Sequence, residues 1–186
     1  MATPVPSSTP NSAAPKMVVW DRFVRLFHWG LVALVAIAFL SRDFKAFHIA
    51  VGYGVLALIV ARLVWGLFGT THARFTDFVV GPRAIAAYLR SLRSGAPAHH
   101  VGHNPAGGAM VLALLAVLLA IVGSGWMSET DRFFGVEWVS VMHSLLTSLL
   151  LGLIGLHLLG VLVASILHRE NLVRAMITGR KPNRPD

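Results

Sequence analysis

Apolar residues gather into four long runs along this chain: Leu26 to Leu40, Phe47 to Phe68, Pro105 to Met127 and Trp138 to Leu167. Each approaches or exceeds the ~20 residues that cross the hydrocarbon core of a bilayer as α-helix, and the last is long enough to project beyond it. Unpaired backbone amides are costly in lipid, so such runs close their hydrogen bonds internally as helices, and four of them can bury one another's faces in a bundle. The expected fold class is therefore all-α: an integral membrane protein built as a four-transmembrane-helix bundle.

Between the second and third runs lies the longest polar segment, about Gly69 to Asn104. Within it Pro82 can open a short helix that Gly95 can stop. Ile85, Leu89 and Leu92 share one face of that helix and Arg83, Arg90 and Arg93 lie elsewhere, which predicts a helix resting on the membrane surface. Residues 1–15, MATPVPSSTPNSAAP, have too few apolar groups to order themselves and are expected to form a disordered tail, followed by the membrane core at 16–181 and a short tail at 182–186. Lys16, Arg22 and Arg25 before the first run resemble the opening of a signal peptide, but the run reads as a retained span.

Composition agrees with this reading: 55% of residues are hydrophobic and 13% charged, against roughly 25% charged in soluble domains. The absence of cysteine excludes disulfides, thiolate zinc sites, cysteine-ligated iron-sulfur clusters and covalent c-type haem, leaving His, Met or carboxylate for any metal centre. The net charge of +8 is distributed by side. The N-terminal segment, the 69–104 loop with Arg62 at its edge and the C-terminal tail hold 13 of the 16 Lys and Arg. The other two loops hold Arg42, Lys45 and Arg132, offset by Asp43, Glu129, Asp131 and Glu137. The positive-inside rule then predicts both termini cytoplasmic, with the bilayer rather than nucleic acid as the partner of the excess charge.

Ionisable side chains inside spans are rare and usually functional. The informative ones here are four histidines: His28 in the first span, His48 at the start of the second, and His143 and His157 in the fourth. The last two are 14 residues apart, so they share a helix face to within about 40° at depths that differ by roughly 21 Å. Topology supplies their partners, His28 with His157 toward the cytoplasm and His48 with His143 toward the outside. Two neutral imidazoles fill both axial positions of a haem iron, so each pair suits a low-spin haem b, and closed axial positions imply electron transfer. Tetrahedral zinc would need all four ligands together. Gly52 and Gly54 after His48, and Gly152, Gly155 and Gly160 around His157, could let a flat macrocycle approach the backbone, although small residues also serve ordinary helix packing.

Haem propionates must reach polar groups at the interfaces, where Arg25 on the inner side and Arg42 or Lys45 on the outer side are candidates. His99, His100 and His103 resemble a metal cluster, but Pro97, Gly102 and Pro105 argue against the regular helix that would align them. His168 lies at the inner boundary, within reach of a quinone head group or a propionate, and reads best as an interfacial histidine. His72 sits in a loop.

Five blocks carry a resemblance: VWDRFVRLFHW at Val19 to Trp29, FHIAVGYG at Phe47 to Gly54, GHNPAGGAM at Gly102 to Met110, the pair His143 and His157, and HRENLVRAMITGRK at His168 to Lys181. Together they resemble the prokaryotic di-haem cytochrome b family that contains bacterial cytochrome b-561 and the b-type cytochrome subunits of nickel-iron hydrogenases. The resemblance implies a multi-pass protein of the bacterial inner membrane, holding two haems b on the iron ligands His28, His48, His143 and His157. It would pass electrons between the quinone pool and a redox partner such as a periplasmic c-type cytochrome. The short outer loops argue against a large hydrogenase partner. Two other readings stand beside it: an enzyme that oxidises superoxide and reduces quinone, drawing on Arg42, Lys45 and Arg132 as the cationic approach, and a non-redox four-helix transporter or anchor.

Overall fold

The computed structural model describes residues 16–93 and 102–182; the expected N-terminal tail, His99, His100 and residues 183–186 lie outside them. In chain order the elements are β1 (Lys16–Val18), α1 (Arg22–Leu40), α2 (Lys45–Phe68), a 3-10 turn (Thr71–Ala73), α3 (Phe75–Phe78), α4 (Pro82–Arg93), α5 (Pro105–Ser128), α6 (Glu137–Leu167), α7 (Leu172–Thr178) and β2 (Arg180–Pro182). Helices α1, α2, α5 and α6 are long and apolar enough to cross a membrane. They match the four hydrophobic runs, and α1 begins four residues before its run. The cause is local: Asp21 caps the helix by accepting from the Val24 amide at 2.8 Å, which draws the polar turn from Arg22 to Arg25 into the helix. Asn104 opens α5 in the same way, accepting from the Gly107 amide at 2.7 Å with Pro105 in the first turn.

Helix α1 packs on α2, α5 on α6, and α2 on α5, whereas α6 packs extensively on neither α1 nor α2. Val55, Ile59, Leu115, Leu118 and Leu150 form the shared core of α2, α5 and α6. The outward face of α6 carries exposed leucines and isoleucine, including Leu145, Leu158, Leu162 and Ile166. Such a continuous apolar face is the surface a bilayer covers.

One end of the bundle, here the terminal end, gathers the first and last described segments, 16–18 and 180–182, together with α3, α4 and α7. Strand β1 pairs antiparallel with β2, Met17 opposite Lys181. Beside this clip the Val19 and Trp20 amides both donate to the Gly179 carbonyl. Gly179 ends α7 at φ 79°, and a Cβ there would stand 2.6 Å from the Trp20 carbonyl oxygen, so both its backbone conformation and its neighbour demand glycine. Lys181 and Glu170 form a buried ion pair at 3.7 Å under the clip. Burial pushes the Lys181 ammonium below its ordinary value, opposed by the Glu170 carboxylate. Helix α3 lies directly on α2, its Phe75 ring filling the space a side chain at Gly66 would need.

Helix α4 forms where Pro82 predicts it, with a different apolar anchor: Tyr88 is buried and Leu89 is exposed. Ile85, Tyr88 and Leu92 fall at helical spacings of three and four, so the face that packs on α5 is centred one flank away from Leu89. Burial raises the Tyr88 hydroxyl above its ordinary value, with a hydrogen bond to Asn104 acting the other way. At the opposite end, here the hairpin end, two short connections join α1 to α2 and α5 to α6. There Lys45 Nζ meets Glu129 Oε1 at 3.0 Å and lies over the Phe134 ring, and Arg42 stands 3.9 Å from Asp43.

Candidate functional site

Four helices bring the four intramembrane histidines into two pairs at two levels. At the terminal end His28 of α1 faces His157 of α6 with ring centroids 6.5 Å apart. At the hairpin end His48 of α2 faces His143 of α6 at 6.3 Å. The two α6 histidines keep the 14-residue spacing along a continuous helix, which sets the levels roughly 21 Å apart along the axis. Each pair joins helices that do not otherwise pack extensively.

Spacing within the pairs is chemically informative. Two imidazoles too far apart for a direct hydrogen bond, yet facing across one gap, match a shared ion: nitrogens about 2.0 Å from a metal on opposite sides put ring centroids roughly 6.3 Å apart. Among the described residues no group of three or more His, Asp or Glu side chains converges, so each level offers only its two histidines. That donor set fits a planar tetradentate macrocycle, which needs two axial nitrogens, and fits neither tetrahedral zinc nor a carboxylate-bridged metal pair.

Outer contacts fix the hairpin-end imidazoles for this role. His48 Nδ1 lies 3.0 Å from the Ala38 carbonyl, which can only accept, so Nδ1 carries the proton and Nε2 keeps its lone pair. His143 Nδ1 lies 3.0 Å from Ser124 Oγ. The Ser124 hydroxyl donates to the Ile121 carbonyl at 2.8 Å, so it accepts from His143 and selects the same tautomer. Ser124 is 1% exposed and Gly125, beside it, sits against the ring: a Cβ there would be 3.3 Å from His143 Cε1. At the terminal end His28 Nδ1 is buried with no hydrogen-bond partner.

The remaining sequence candidates are placed as follows. A Cβ at Gly52, one turn after His48, would meet no atom within 4 Å, whereas Gly54 packs against Leu34. Gly152, Gly155 and Gly160 are exposed and a Cβ at any of them would meet no atom within 4 Å; Gly160, three residues after His157, lies within about 60° of its face, and Gly152 and Gly155 lie on the opposite side of α6. Arg25 donates through Nη1 to the Ile177 carbonyl at 2.7 Å. Arg42 and Lys45 stand beside the carboxylates of Asp43 and Glu129. His168 is the half-buried C-cap of α6, and His72 meets Asp77 at 3.2 Å.

Three residues to which the sequence assigns no place in the site also shape it. Asp21, besides capping α1, accepts from Trp65 Nε1 at 2.9 Å and Thr70 Oγ1 at 2.6 Å, which ties α1 to α2 at the terminal end, about two turns beyond His28. Burial alone would raise its carboxyl, but the hydrogen bonds from Thr70, Val24 and Trp65 outweigh it and hold the group below the ordinary carboxylate value. Arg62 is 2% exposed inside α2, its guanidinium over the rings of Phe75 and Phe78. His103 sits between Trp20 and Phe78, each ring centroid 4.6 Å away. Burial first, then the charges of Arg62 and Lys181, push His103 down to about 3, so its imidazole is neutral at physiological pH.

A family model described as prokaryotic cytochrome b561 matches residues 19–179. Searches of curated proteins and of solved structures returned no match.

Proposed function

This chain belongs to the prokaryotic cytochrome b561 family, whose members are b-type cytochromes that transfer electrons in membranes, and from that premise we propose a two-haem relay between the quinone pool and a redox partner. The observation that carries the reading is the presence of two facing histidine pairs at separate levels, each spaced for one metal and each without a third ligand among the described residues. Haem b, when bound, supplies reversible one-electron chemistry at its iron. His28 and His157 would hold one such group and His48 and His143 the other. With two protein imidazoles holding each group, neither site would offer an open position to a small ligand, which would suit relay rather than oxygen chemistry.

The protein's own part is orientation and exclusion. Ala38 and Ser124 lock the outer imidazoles in the tautomer that presents Nε2. The apolar faces of α2, α5 and α6 keep water from the interior between the levels. Both termini would face the cytoplasm of the bacterial inner membrane, placing the His28–His157 level inside and the His48–His143 level outside. Quinone would exchange electrons at one level, and a periplasmic c-type cytochrome is a candidate partner at the other. Arg42 and Lys45, the outer cations that a superoxide-oxidising role would use, are each beside a carboxylate, and no specific observation favours that role.

Haem extraction and reduced-minus-oxidised spectra of the purified protein test this directly. The expected result is two low-spin haems b per chain, both reduced by quinol when the protein is reconstituted in vesicles. One haem per folded chain, or haems that quinol cannot reduce, would overturn the relay.

A further inference from the structure

Arg62 is a full positive charge in the interior of α2, 2% exposed, with Nη1 buried and unpartnered. No carboxylate among the described residues lies within ion-pair distance of it; Asp21, the nearest acidic influence, spends its oxygens on Val24, Trp65 and Thr70. Rings of Phe75 and Phe78 cover the guanidinium face, and cation–π contact compensates only part of the hydration lost. Close by, His103 Nδ1 is also buried without a partner, its ring stacked on the same Phe78 and within electrostatic reach of both Arg62 and His157. Two unpartnered polar groups therefore gather at one place. A buried cation in that state calls for an anion that none of the described residues provides.

Helix geometry gives its level. Arg62 follows His48 on α2 by 14 residues, the same interval that separates His143 from His157 on α6. Both helices run from the hairpin end to the terminal end, so Arg62 stands at the depth of His157 and within about 40° of the His48 face. Helix α2 thus presents a histidine to one level and an arginine to the other.

We infer that Arg62, assisted by His103, binds a carboxylate at the His28–His157 level, and that this carboxylate is a propionate of the haem held there. The inference rests on the two-haem reading above. Arginine suits the task because its planar fork pairs a carboxylate bidentately and stays charged when buried. It also gives Arg62 a redox consequence. Reduction adds one negative charge at this level, a fixed guanidinium favours the reduced form, and losing it lowers the midpoint of that haem alone.

The test uses holoprotein carrying haem b labelled with carbon-13 at the propionate carboxyls, comparing wild type with Arg62→Gln and Arg62→Lys. Redox-difference infrared spectra read the labelled carboxylates, and potentiometry reads each haem. In Arg62→Gln the labelled bands are expected to move, and the midpoint of the His28–His157 haem to fall by about tenfold in its reduction equilibrium, ~59 mV for one electron. Arg62→Lys is expected to restore most of the midpoint, and the other haem to stay unchanged. Normal haem loading with unmoved labelled bands in Arg62→Gln overturns the inference alone, and assigns the anion to another source such as a lipid phosphate. Equal shifts at both haems would also overturn it, because that is the signature of a purely structural arginine. Wild-type protein with no haem at the His28–His157 level overturns the two-haem reading, and this inference with it.

Discussion

Replacing His28 or His157 with alanine is expected to remove or unligate one of two haems and leave the other spectroscopically intact, while His48→Ala or His143→Ala does the converse. The expectation follows from the pairing: each level has two facing imidazoles, and no third His, Asp or Glu among the described residues could take the vacated position. Loss of one axial nitrogen either releases the haem or leaves it five-coordinate and high-spin, so haem per chain falls by up to about half and the low-spin reduced band falls with it. Independence of the levels follows from their separation, roughly 21 Å along α6. The hairpin-end pair offers a finer check. Ser124→Ala removes the acceptor that orients His143 while leaving all four histidines, and should weaken retention of that haem about tenfold, the lower range for loss of a contact that orients a metal ligand. Haem quantification and spectra of the five variants decide the matter. If His28→Ala and His48→Ala disturb the same haem, the pairing is wrong.

The same comparison explains what could be read in the residues before any coordinates. Histidine pairing was legible because membrane helices restrict the alternatives: a span fixes direction and depth, and the helical repeat fixes azimuth, so an interval of 14 residues on the last helix assigned both levels. The contacts that orient those histidines were not. Ser124 and the Ala38 carbonyl belong to helix turns distant in sequence, and nothing in a serine's local pattern says that a ring will lie against it. Arg62 was counted as an edge charge of the 69–104 loop, because arginines near span ends commonly serve as topology anchors. Its interval from His48, equal to that between His143 and His157, was the signal that could have singled it out. The β1–β2 clip joins two three-residue strands from opposite ends of the chain, and such short non-local pairing leaves no periodic trace. Asp21 immediately before a helix was a readable cap, but its second and third partners, Trp65 and Thr70, exist only once α1 packs on α2.

Asp21 carries the second large expected effect, since one carboxylate serves three donors, from α1, α2 and the turn that follows α2. Asp21→Ala deletes a helix cap worth ~1 kcal/mol and strands the half-buried Trp65 indole N–H, while the exposed Thr70 hydroxyl turns to water, for a combined loss of about 2 kcal/mol. Asp21→Asn keeps the size and one acceptor oxygen but loses the charge, and its amide group faces donors where it can only donate, so an intermediate loss is expected. The pH dependence separates this from a generic packing defect. Hydrogen bonds to the ionised form hold the folded-state pKa below the unfolded value of ~3.9, so the folded state binds a proton less readily than the unfolded chain does. The stabilisation is thus fully present above the unfolded pKa and is lost as pH falls through the folded one. Thermal unfolding of the detergent-solubilised protein should show a gap between wild type and Asp21→Ala that is constant from neutral pH down to about pH 5 and narrows below ~4. Because the same carboxylate ties α1 to α2 at the end of the bundle nearer His28, the variant should also loosen the haem of the His28–His157 pair before that of the His48–His143 pair. A gap that stays constant through the acid range would mean that the ionised carboxylate contributes nothing beyond its volume, and the tie between the first two helices would have to be sought in the packing of Phe23 on Trp65 instead.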